Sequence, residues 1–190
     1  MAERDVRRVT DVESMKAVAH PLRVRLLGAL RIEGPATASE LGRRFGESSG
    51  ATSYHLRQLA RYGFIEEDPE QPNARDRRWR AAHRYTSWRE SDFASQPEGR
   101  EATRALRARQ REYITQVAER FEDDDWGPEW LDAAGQNDDV VRLTPDSLRQ
   151  LYDRINQLIG EYAETEAADD PAIERVAVFF SGYPTRGYPG

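Results

Sequence analysis

Ser48-Ser49-Gly50-Ala51-Thr52-Ser53-Tyr54-His55-Leu56-Arg57-Gln58-Leu59-Ala60-Arg61-Tyr62-Gly63 reads as a short helix with one buried stripe and one presented face. Thr52, Leu56 and Leu59 recur at spacings of four and three, the period of a narrow apolar seam on a helix. Ser48 or Ser49 can cap the first turn by accepting a backbone N–H, and Gly63 can end the helix in a left-handed conformation. The other side carries Ser49, Gly50, Ser53, Tyr54, Arg57 and Arg61, with His55 at the boundary. Small residues first, then hydrogen-bonding and cationic ones, suit close approach to a nucleic-acid groove.

The flanks extend this reading. Upstream, Asp11 or Thr10 can cap a short amphipathic helix through Met15 and Val18, and residues 1–10 read as a frayed lead-in. His20-Pro21 breaks that helix and Pro21 suits the first turn of the next, in which Leu22, Leu26, Leu27 and Leu30 are the strongest core candidates. Glu33-Gly34-Pro35 is a stop. Thr37 and Glu40 have the spacing of a capping box for a third helix over Ala38–Phe45, closed by Gly46. Two short helices joined by a tight glycine-bearing turn form a helix-turn-helix layout. Downstream, Phe64–Asp68 and Arg78–Arg84 read as two strands, and Pro69–Arg77 as the loop between them. Such a hairpin is a wing, and Arg75 and Arg77 stand where its tip can meet phosphate or a minor groove.

Over roughly residues 10–85 the order of motifs resembles the ArsR-type winged helix-turn-helix regulators. The resemblance rests on Ala19-His20-Pro21-Leu22-Arg23, Thr37-Ala38-Ser39-Glu40-Leu41, Ser53-Tyr54-His55-Leu56-Arg57-Gln58-Leu59, Gly63-Phe64-Ile65-Glu66 and Arg78-Trp79-Arg80. It implies DNA binding through positions matching Ser53, Tyr54, His55 and Arg57. Metal-sensing members carry a cysteine pair on the third helix, and here that stretch is Ala38-Ser39-Glu40-Leu41-Gly42. His20, His55 and His83 have no paired ligand at metal-binding spacing, so no metal and no cofactor are expected. His20 is expected as a turn residue.

Charge is divided along the chain. Of the net −6, residues 1–90 hold 17 Arg and Lys against 13 Asp and Glu, a balance of +4, and residues 91–190 hold 11 against 21, a balance of −10. That asymmetry suits a protein in which only one part faces phosphate. There is no cysteine among the 190 residues, which removes disulfides, thiolate metal sites and cysteine nucleophiles. No run reaches the roughly 18 apolar residues of a membrane span. The expectation is a cytoplasmic protein with no membrane partner.

The fold expected is mainly α with small β (α+β). Residues 1–90 form the winged DNA-binding domain and residues 91–190 a dimerisation or sensing domain. Tyr85–Gly99 reads as a connection docked by Trp88 and Phe93. Glu101–Glu122 reads as a long helix whose stripe through Leu106, Tyr113, Ile114, Val117 and Phe121 pairs two subunits. Trp126 and Trp130 read as two indoles in a loop, more suited to core than to pocket. Val140–Leu143, a helix from Pro145, and Val176–Phe180 read as a strand-helix-strand unit. An unidentified small-molecule effector could bind an apolar pocket near Trp126, Trp130, Tyr152 and Phe180.

These features predict a homodimeric, sequence-specific transcriptional regulator, a repressor, reading an inverted repeat in double-stranded DNA with the 48–62 helix and the 69–77 wing. The rival reading is a winged protein-interaction module without DNA, supported by Glu66, Glu67, Asp68 and Glu70 beside the wing. No nucleophile with a base at workable spacing and no phosphate-cradling loop argue for an enzyme.

Overall fold

Apolar periodicity in the first hundred residues resolves into one helical core with a small sheet at its side. The computed structural model describes residues 6–70, 77–165 and 173–186. In chain order the first elements are β1 (Val6–Val9), α1 (Val12–Ala19), α2 (Pro21–Ile32), β2 (Ala36–Thr37), α3 (Ala38–Phe45) and α4 (Ser49–Arg61). They are followed by β3 (Ile65–Glu67), β4 (Arg78–Ala81), β5 (Tyr85–Trp88), α5 (Glu90–Phe93) and α6 (Pro97–Asp123). The last two helices are α7 (Pro128–Ala133) and α8 (Pro145–Thr165). The chain divides into two compact units, residues 1–113 and 114–190. The first runs past residue 90 because Phe93, Ala102 and Leu106 are buried in its core.

Local chemistry sets the helix ends. Asp11 accepts the Ser14 N–H at 2.8 Å and starts α1. Thr37 and Glu40 complete both bonds of the capping box on α3. Those bonds, from the Thr37 backbone N–H first and its hydroxyl second, hold the Glu40 carboxyl below its ordinary range. Ser48 caps α4 through the Ala51 N–H at 3.2 Å. At its far end the Phe64 N–H reaches the Leu59 carbonyl and the Gly63 N–H reaches Ala60, which closes a Schellman motif. Gly46 and Gly63 both adopt φ +69°, the left-handed region where a Cβ is strained.

Leu26, Leu56, Leu59 and Phe64 are fully enclosed, and Met15, Leu41, Ile65 and Trp79 complete the centre of the core. Each such side chain contributes about 1.5–3 kcal/mol relative to exposure. The sheet is β2-β4-β3, antiparallel throughout, with Glu66 opposite Arg80 and Ala36 opposite Trp79. β3 and β4 are the arms of the wing.

α3 and α4 approach each other at Gly42. A Cβ there would lie 2.9 Å from the Glu47 carbonyl oxygen and 3.2 Å from the Thr52 hydroxyl. The Glu47 backbone cannot retreat, because its own N–H closes on the Gly42 carbonyl at 2.8 Å. Alanine gains about 1 kcal/mol of helix propensity over glycine, and overpacking costs about 1–3 kcal/mol. Gly42→Ala is therefore expected to lose about 1 kcal/mol net, read as a lower urea midpoint at unchanged slope.

Several segments differ from the sequence reading. The lead-in is a strand from Val6: β1 pairs in parallel with β5, and Val9 is 1% exposed. The connection after Tyr85 therefore begins as the partner strand and continues through α5 into α6, which starts four residues early at Pro97. Parallel pairing between residues 6–9 and 85–88 has no local turn signal to announce it. Trp130 lies in the short helix α7 rather than a loop, opened by Pro128 at its first turn. Neither indole is core, since both Trp126 and Trp130 are half-buried. The strand-helix-strand unit is present only in its helix, α8: residues 140–143 and 176–180 carry no strand among the described residues. An apolar run becomes a strand only with a ladder partner, however strand-like its composition.

Candidate nucleic-acid interface

The face of α4 opposite Thr52, Leu56 and Leu59 is open. Ser49, Gly50, Tyr54, Arg57 and Arg61 are exposed, and Ser53 and His55 are half-buried beside them. Tyr54 is 54% exposed, high for an aromatic ring in a packed domain. A Cβ built on Gly50 would meet nothing, so the first turn offers bare backbone to a close ligand. Arg57 makes no hydrogen bond or ion pair with the described residues, whereas Arg61 lies against the Tyr62 ring at 5.7 Å. The interface thus combines a flat N-terminal turn, a projecting phenol and an uncommitted guanidinium.

At the wing, Arg75 lies outside the described residues. Arg77 pairs with Glu67 at 3.2 Å and lies 5.7 Å from the Trp79 ring centroid. An exposed pair of this kind contributes about 0–1 kcal/mol, so its arginine is cheaply redirected to a phosphate. Arg80 likewise pairs with Glu66, and the Asp68 carboxylate accepts the Glu70 N–H. Glu66 and Glu67 of the acidic run are paired within the hairpin. The wing is anchored behind: Arg78 donates to the Pro35 carbonyl, and Arg31 donates to the His83 carbonyl at 3.0 Å and to the Thr86 hydroxyl at 2.8 Å.

Two residues that sequence reading left in other roles stand next to this face. His20, at the N-cap of α2, makes no capping bond with its ring. Its ring instead meets His55, centroids 4.5 Å apart. Arg23 is close enough to disfavour protonation of both histidines, after burial as the main cause. The HPLR and YHLR segments hold the residue types, but nothing in their spacing says that the two imidazoles touch.

The proposed effector residues all lie in the second unit. Trp126 stacks on Phe121 at 6.0 Å and meets Trp130 edge to face at 6.2 Å. Tyr152 meets Phe180 at 5.4 Å and exchanges hydrogen bonds with the Gly182 backbone. A cavity of about 210 Å³ occurs in the first unit, lined by Glu90, Ser91, Ala94, Arg100, Thr103 and Arg104.

Residues 18–68 match the family model for a helix-turn-helix domain. Solved structures similar to the chain include reduced HlyU from Vibrio cholerae N16961, 26% identical over 38% of this chain and 72% of that one, TM-score 0.33. ZitR from Lactococcus lactis, as the C30AH42A mutant in apo form, is 10% identical over 76% and 83%, TM-score 0.34. NMB1585, a MarR family regulator from Neisseria meningitidis, is 15% identical over 79% and 76%, TM-score 0.31. No match is found among curated protein sequences. The matched domain, the wing and the open face of α4 define the class, a winged helix-turn-helix, DNA-binding regulator. Among the described residues, no helix is long and apolar enough to cross a membrane.

Proposed function

We propose that the protein is a dimeric transcriptional repressor of the ArsR type without cysteine metal sensing, reading an inverted repeat with α4 and the wing. The observation that carries the DNA reading is the uncommitted Arg57 beside exposed Tyr54, on the side of α4 opposite its buried stripe. Ser49, Gly50, Ser53, His55 and Arg61 flank them, and Arg75 with Arg77 serve the wing. The pairing of Glu66 and Glu67 within the hairpin weighs against an acidic protein-docking surface.

Dimerisation is supported by the second unit. No described residue from Ile114 onward is buried, although Val140, Val141, Leu158, Tyr162, Val176 and Val178 are all apolar or aromatic and more than half exposed. Exposed apolar surface on this scale marks an interface. A second copy covers it and sets two α4 helices about 34 Å apart, one turn of DNA.

The test is fluorescence anisotropy with a labelled duplex from the protein's own upstream region, over a salt series. Arg57→Ala combined with Arg75→Ala should weaken binding at least tenfold and make the plot of log K against log salt shallower by about 1 for each phosphate left without its arginine. Binding of unchanged strength and slope overturns the assignment.

A further inference from the structure

The His20 and His55 rings approach with a 35° tilt, and Nδ1 of each, together with Nε of Arg23, is shut off from solvent without a protein hydrogen bond. Arg23 makes one long bond, from Nη2 to the Lys16 carbonyl at 3.4 Å, and has no carboxylate partner among the described residues. Three other arginines of this domain each have a carboxylate partner, Arg44 in Glu33, Arg77 in Glu67 and Arg80 in Glu66. The groups facing the pair are Arg23 from α2, Glu47 from the turn before α4, and Tyr54 on α4, with Tyr62 beyond Arg23. Only Glu47 among these is a carboxylate, and it makes no hydrogen bond to either ring. One guanidinium and two imidazoles gathered without a bonded counter-charge form a cluster that lacks an anion.

We propose that His20, Arg23 and His55 form a site for one DNA backbone phosphate, and that filling it adds one proton to the histidine pair. This rests on the DNA-binding reading above. His55 follows exposed Tyr54, with the two rings edge to face at 5.2 Å, so a duplex docked on α4 passes beside the cluster. A phosphate accepts from guanidinium and imidazolium donors in charge-assisted bonds. In the free protein, burial first and Arg23 second disfavour protonation of both rings. Phosphate offsets the Arg23 charge and favours the imidazolium. The complex then holds more protons than its components, so affinity rises as pH falls, by at most about tenfold per pH unit for a single proton.

The experiment measures anisotropy with the same duplex at pH 7.5, 6.75 and 6.0 and constant ionic strength. Wild type should tighten about five- to tenfold across the range; His20→Gln and His55→Gln should each flatten that slope; and Arg57→Ala should weaken binding at every pH while keeping it. In parallel, the Cε1–H signals of the chain's three histidines, followed by NMR on wild type at pH 6.5, should show His20 and His55 moving toward the protonated position when duplex is added, with His83 as internal reference. Duplex binding with no movement of those two signals, or with the same pH slope in both histidine variants, overturns the phosphate site and leaves the DNA reading standing. Absence of binding at every pH overturns both.

Discussion

Phe64→Ala is expected to cost about 3–5 kcal/mol, the largest stability loss of any single change considered. The ring is completely enclosed and sits where three parts of the first unit meet. Its N–H ends α4 on the Leu59 carbonyl, its carbonyl accepts the Ala82 N–H beyond β4, and the Arg7 guanidinium of β1 covers its face at 4.7 Å. Alanine leaves a cavity under all three, and neighbours held by backbone bonds cannot close it. Against a typical total stability of about 5–15 kcal/mol, this loss brings the domain near its threshold. Urea unfolding followed by far-ultraviolet circular dichroism should show the midpoint collapse, with Phe64→Leu losing far less. Tyr54→Ala, on the exposed face, should stay within about 0.5 kcal/mol of wild type. Equal midpoints for Phe64→Ala and wild type would show that the ring does not hold the domain together.

The second large effect is on assembly. Leu151→Asp with Leu158→Asp on α8 should convert the proposed dimer to monomers and weaken operator binding by on the order of 10²–10⁴, the loss when two linked sites become independent. Both leucines are already substantially exposed, at 40% and 53%, so aspartate costs the isolated chain little. In a dimer the same carboxylates would be buried without partners. Sedimentation velocity reads the mass directly, and anisotropy reads the affinity. Wild type sedimenting as a monomer at micromolar concentration, or the variant keeping the mass and affinity of a dimer, would remove the dimer from the proposed function.

Residues close in the chain settle part of this structure among themselves. Thr37 and Glu40 form the capping box, Ser48 caps α4, Gly46 and Gly63 turn left-handed, and the Thr52, Leu56, Leu59 stripe is buried opposite Tyr54 and Arg57. Each follows from hydrogen bonds or periodicity within one or two turns, so the helix-turn-helix and its presented face were legible from residue order. Pairings between distant segments came only with the folded chain. β1 lies beside β5, Phe93 and Leu106 extend the first core beyond the wing, and the Glu66 and Glu67 charges are spent on Arg80 and Arg77. The same holds for the His20 and His55 ring pair and for the apolar runs at 140–143 and 176–180, which have strand-like composition and form no strand among the described residues. One cause underlies them all. A strand, an ion pair or a stacked ring depends on a partner that the chain brings close only when the core closes, and local pattern carries no record of that distance.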